Sequence, residues 1–110
     1  MKNIFLFSLC ICLFISCSAN RFKSEVDFAN KLAQQGLWQE AYFRWSKSLD
    51  SQKASAAIYN NLAVYYEKTG KMKEAEEAYQ KALKLEPENR YIQNNYKKFK
   101  HREEKKKNEK

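Results

Sequence analysis

Two hydrophobic patterns succeed one another along the chain. Residues 4–15, IFLFSLCICLFI, are apolar at every position but Ser8. From Phe22 onward the apolar residues return every three or four positions among polar ones. Tyr59, Leu62 and Tyr66 fall at i, i+3 and i+7, the stripe of an amphipathic helix. Ala75, Ala78, Tyr79, Ala82 and Leu83 make a second stripe, and Ile92, Tyr96 and Phe99 a third. Gly70 can take the left-handed conformation that closes a helix, Pro87 stops the next, and Asn89 is suited to cap the one after. The pattern predicts helices over roughly 22–35, 39–51, 56–69, 72–85 and 90–104. Two glycines and one proline in 110 residues, with abundant Ala, Glu, Lys and Leu, put the chain in the all-α class with short connections.

The pattern also repeats. Phe22–Ser55 lies over Ala56–Asn89 without a gap, at a period of about 34 residues. Gly36 falls on Gly70, Glu40 on Glu74, Ala41 on Ala75, Trp45 on Tyr79 and Leu49 on Leu83, while Phe28 and Ala29 fall on Leu62 and Ala63. Self-similarity at this period marks stacked helix pairs. Residues 90–104 begin a third unit and do not complete it. Their apolar side can cover the open end of the second unit, and Lys97, Lys98, Lys100 and Arg102 give the outer side the polarity of a cap.

These residues resemble the tetratricopeptide repeat. The second unit supplies Tyr59, Leu62, Ala63, Tyr66, Gly70, Ala75, Tyr79, Ala82 and Pro87 at the characteristic positions. The first supplies Phe28, Ala29, Leu32, Gly36, Ala41, Trp45 and Ser48, and departs at Glu25, where an aromatic is expected, and at Lys53, where proline is expected. The resemblance implies an α-solenoid of two helix-turn-helix repeats, 22–55 and 56–89, closed by a capping helix at 90–104. It also implies a concave groove, lined by the first helix of each repeat, that binds a protein or peptide partner. The groove positions are Lys23, Val26, Asp27, Asn30, Ala33 and Gln34, then Ala57, Asn60, Asn61, Val64, Glu67 and Lys68, then Tyr91, Asn94, Asn95 and Lys98. In one group of such repeats two asparagines and three cations clamp a peptide's terminal carboxylate. Asn30 and Asn61 match the asparagines, but Val26, Tyr91 and Asn95 stand where the cations belong, which argues against that clamp. What remains is an amide-rich strip. It can bond an extended backbone, or it can simply be solvated. Trp38, in the turn of the first repeat, is expected at the surface.

The first apolar run has the make-up of a secretory signal: a short basic start at Lys2, about a dozen apolar residues, then small or polar ones. It is short of the roughly 20 residues needed to span a bilayer. Phe14, Ile15, Ser16 and Cys17 resemble a bacterial lipobox, although Phe14 replaces the commoner leucine. The resemblance implies a signal peptide over 1–16, acylation of Cys17, and a tether over 17–21. The alternatives are an ordinary signal cut after Ser16 or Ala19, or an uncleaved anchor. Cys10 and Cys12 lie inside the apolar run and follow bulky residues, so they are poorer acceptors.

Charge and chemistry then narrow the function. The net charge is +8, and residues 97–110 alone hold eight Lys/Arg against three Glu. The basic end, read as a tail over 105–110, is solvated or meets anionic headgroups or an acidic partner. A location beyond a membrane argues against nucleic acid. No cysteine follows Cys17, His101 is the one histidine, and no glycine-rich phosphate loop occurs. No catalytic residue, metal or cofactor is expected, and the chain is not read as an enzyme. Glu76 and Glu77 read as a solvated helix face. The expected protein is a membrane-anchored adaptor or assembly factor of a bacterial envelope, on the periplasmic side of the outer membrane rather than the inner. The alternatives are an accessory, pilotin-like subunit of a secretion, pilus or outer-membrane assembly machine, and a soluble periplasmic ligand-binding protein. Two repeats and a cap bury little surface, so self-association or docking on a larger partner is expected as well.

Overall fold

The computed structural model describes residues 21–51 and 55–110. The signal segment, the lipobox residues Phe14, Ile15 and Ser16, Cys17, most of the tether and Lys53 lie outside the described residues. Every regular element among the described residues is helical: α1 over 21–34, α2 Trp38–Asp50, α3 Ala56–Lys68, α4 Met72–Leu85 and α5 Arg90–Asn108. The chain divides after Arg44 into two compact units.

The two glycine turns explain the 34-residue period in backbone terms. At the end of α1, Gly36 N–H bonds the Ala33 carbonyl at 3.0 Å and Leu37 N–H bonds Leu32 at 2.9 Å. At the end of α3, Gly70 N–H bonds Glu67 at 3.2 Å and Lys71 N–H bonds Tyr66 at 2.9 Å. Both are the paired closure that satisfies the last carbonyls of a helix and requires a left-handed residue. Gly36 has φ 83° and Gly70 φ 76°, where any side chain is strained. The next helix then starts two residues after each glycine.

In the first unit Ala29, Leu32, Ala33 and Ala41 are buried. Arg44 organises its polar side. The guanidinium lies 4.6 Å above the Phe28 ring and forms ion pairs with Glu25 and Glu40 at 3.3 and 3.4 Å. Glu25, the departure from the aromatic pattern, therefore holds a cation in this chain. Trp38 is half-buried at the start of α2 rather than out on the turn, because the helix begins one residue before the sequence pattern suggested.

In the second unit α3 and α4 pair through the three-residue turn 69–71. Ser55 caps α3 by accepting from the Ile58 N–H at 3.2 Å. Ala63, Ala75 and Ala82 are fully buried, and their small side chains let the helices approach closely. Tyr79 fills the space that the alanines leave. Asn89 caps α5 by accepting from the Tyr91 and Ile92 N–H groups, and Ile92 and Phe99 bury against the pair. The Tyr79 ring stands 5.5 Å from Tyr96 and 5.7 Å from Phe99, within the range of favourable aromatic packing.

Helix α5 does not end at 104. It runs to Asn108 through the segment read as a tail. Lys106 pairs with Glu103 at 3.0 Å and Lys105 with Glu109 at 3.8 Å, pairs worth a few tenths of a kcal/mol each on a helix surface. Lys105, Lys106 and Lys107 also occupy the last turn, where the helix dipole favours cations. With no glycine or proline after Pro87, nothing breaks the helix earlier.

Two substitutions weigh these features. A methyl group at Gly70 meets nothing within 4 Å, so Gly70→Ala carries only the conformational cost, about 1 kcal/mol. Phe99→Ala removes a side chain 3% exposed and costs about 3–5 kcal/mol. Urea unfolding followed by far-UV circular dichroism is expected to rank the two in that order, with Gly70→Asn milder than Gly70→Ala.

Candidate functional site: the groove between α3 and α5

Helices α3 and α5 run in the same direction. Asn95 Nδ2 donates to Asn60 Oδ1 at 3.1 Å, and two turns farther along Arg102 Nη2 donates to Glu67 Oε2. Both pairs join positions 35 apart. Between and beside these ties lies a concavity of about 260 Å³ lined by Val64, Glu67, Lys68, Tyr79, Asn95, Lys98 and Arg102.

Glu67 is the centre of this site. Its side chain is 16% exposed. One carboxylate oxygen accepts from the Tyr79 hydroxyl at 2.6 Å, and the other from Arg102. Charge-assisted bonds of this kind are the strong ones. Burial first, and then the hydrogen bond and the charge of Glu67, push the Tyr79 phenol far above its ordinary value near ~10. Arg102 opposes the shift less strongly. The phenol therefore stays a donor to Glu67 throughout the physiological range.

The groove positions read from the sequence separate into groups. Val64, Glu67, Lys68, Asn95 and Lys98 do meet in one concavity. Asn60 does not offer its amide to a ligand: it is 2% exposed and receives Asn95. Its reading as a groove residue is corrected, because the neighbouring helix places a complementary amide against it. Asn61 is half-buried, while Tyr91 and Asn94 are exposed on α5 outside the concavity. Asp27, exposed, and Asn30, half-buried, belong to α1 in the first unit. Tyr79 and Arg102 were missed. Tyr79 reads as packing because its ring is apolar, and Arg102 reads as one more outer cation of the cap. The signal that could have found Arg102 is its spacing, four residues after Lys98 on one helix face.

Residues 56–89 match the family model of the tetratricopeptide repeat. That span is similar to a single tetratricopeptide repeat. The match covers α3, α4 and the glycine turn between them. No curated protein matches the sequence. Among the described residues, no group of three or more His, Cys, Asp or Glu side chains could hold a metal ion, and no helix is long and apolar enough to cross a membrane.

Tyr79→Phe removes the donor to Glu67 and leaves the ring packing, at an expected cost of about 1.5 kcal/mol near neutral pH. The raised phenol also predicts a pH dependence. Above about 10 the unfolded chain releases this proton and the folded chain keeps it, so this contribution to stability is full below that pH and falls as pH rises. Urea unfolding measured from neutral to alkaline pH is expected to show a shallower alkaline decline for Tyr79→Phe than for the natural chain.

Proposed function

We propose that this protein is a lipid-anchored adaptor of a bacterial envelope that presents its repeats to a protein partner. Tetratricopeptide repeats generally mediate protein–protein interactions and are typically non-enzymatic scaffolds. The observation that carries the adaptor reading is the α3–α5 groove, which sets Val64, Asn95 and Lys98 around one concavity on the binding side of the repeat. A lining that combines Val64 with an amide and cations suits an extended peptide, whose backbone needs both donors and acceptors.

The membrane part of the proposal rests on the sequence. The apolar run, the small residue Ser16 and the single cysteine at its border support acylation of Cys17. One acyl chain binds a bilayer marginally and two or more anchor it stably. With a tether of only residues 17–21, the first repeat is held near the lipid surface, on the periplasmic side of the outer membrane in the favoured arrangement. The partner is then a protein at that surface. Self-association or docking on a larger partner would add the burial that two repeats lack.

Metabolic labelling with palmitate is expected to mark the natural chain and to fail on Cys17→Ser; persistent label in the variant would refute the lipid site. A photocrosslinking residue at Lys98 is expected to give partner adducts in membranes, while one at Glu77, on the exposed side of α4, gives none. Equal adduct formation at both positions would count against the groove.

A further inference from the structure

We infer that the α3–α5 groove is a carboxylate site, taking an extended acidic peptide whose carboxylates lie against Lys98 and Arg102. This rests on the peptide-groove reading above and names the chemistry of the partner.

The charges of the concavity carry the inference. Its lining holds three cations, Lys68, Lys98 and Arg102, against one carboxylate, Glu67. That carboxylate is already satisfied, with Tyr79 on one oxygen and Arg102 on the other. It is neither an open acceptor for a basic ligand nor a repulsive bare charge. Lys98 is exposed, and among the described residues no carboxylate pairs with it. Arg102 uses Nη2 on Glu67, and its side chain is half-exposed. The guanidinium has five N–H donors, so part of the fork stays available to a second carboxylate.

Geometry places these groups together. Lys98 and Arg102 are four residues apart on α5, so they stand one above the other on the same helix face. Asn95, three residues before Lys98, lies on that face too. One N–H of its amide bonds Asn60, and its oxygen can accept from a peptide N–H. Val64 supplies an apolar contact beside them. The cations expected at Val26, Tyr91 and Asn95 for a terminal clamp are absent. On α5, Lys98 and Arg102 stand two turns farther along than Tyr91 and Asn95. The acidic end of a peptide would thus lie toward the C-terminal half of α5. From 90 to 108 that helix carries eight Lys/Arg against two Glu, a field that disfavours a basic partner.

Side-chain and terminal carboxylates share this chemistry, and the test separates them. The full chain in nonionic detergent micelles is titrated into fluorescein-labelled octapeptides of alternating Glu and Ala, with a free C-terminus or amidated. A third peptide has Gln in place of Glu and is amidated. Fluorescence anisotropy is expected to show binding of an acidic peptide and a loss of about tenfold or more in affinity for Lys98→Glu. Lys97→Glu, an exposed neighbour outside the concavity, is expected to lose less than about threefold. Retained affinity of the amidated acidic peptide assigns the site to side-chain carboxylates; a need for the free terminus assigns it to that group. If the Gln peptide binds as well as the acidic ones and Lys98→Glu changes nothing, the inference falls and a peptide groove survives. Equal losses for Lys97→Glu and Lys98→Glu reveal a diffuse field and overturn the site. No binding of any peptide overturns both the inference and the groove.

Discussion

The second unit is arranged around one phenol. Tyr79 comes from α4, packs its ring against Tyr96 and Phe99 of α5, and donates its hydroxyl to Glu67 of α3. A single side chain therefore touches all three helices. A buried hydroxyl must find a partner, and the partner here is a carboxylate that must itself be balanced. Arg102 supplies the balance from α5. The register of α5 along α3 follows from this chain of requirements, together with the Asn60–Asn95 pair two turns away. Alanine on α3 and α4 permits the close approach, and the tyrosine decides how it is filled.

The same arrangement relates the fold to its proposed use. A capping helix needs only an apolar face toward the repeat and a polar one toward water. Helix α5 does more, because the edge between those faces carries Asn95, Lys98 and Arg102. Two of these bond α3, and the third stays open at the rim. The contacts that hold the cap in register thus also build one wall of the groove, and the groove is as rigid as the ties beneath it.

Local signals explain what was legible in the sequence. Gly36 and Gly70 occupy positions where only a left-handed residue closes the turn, and Pro87 and Asn89 act on their nearest neighbours. The buried alanines and the stripe of Ile92, Tyr96 and Phe99 follow from helical periodicity. The features that escaped depend on partners far along the chain. Asn60 reads as an open amide until Asn95, 35 residues later, is placed against it. Arg102 reads as a surface charge until Glu67 is found opposite. The basic end reads as a tail because a run of lysines opposes helix formation by repulsion. Glutamates 103 and 109 and the favourable position of cations at a helix C-terminus reverse that balance.

Helix α3 ends at Lys68, next to the residue that Arg102 bonds, while α5 continues for six residues beyond Arg102. Since α3 goes one residue past Glu67, α5 extends about five residues farther, roughly 7–8 Å at about 1.5 Å per residue. It carries Lys105, Lys106 and Lys107, the last of which lines a concavity with Met72, Lys73 and Glu76 of α4. A concentration of like charge near a binding surface acts on a partner before contact, raising the frequency of productive encounters more than the lifetime of the complex. For the partner proposed here, this basic end would add an ionic-strength dependence to the rate of encounter rather than to the lifetime set in the groove.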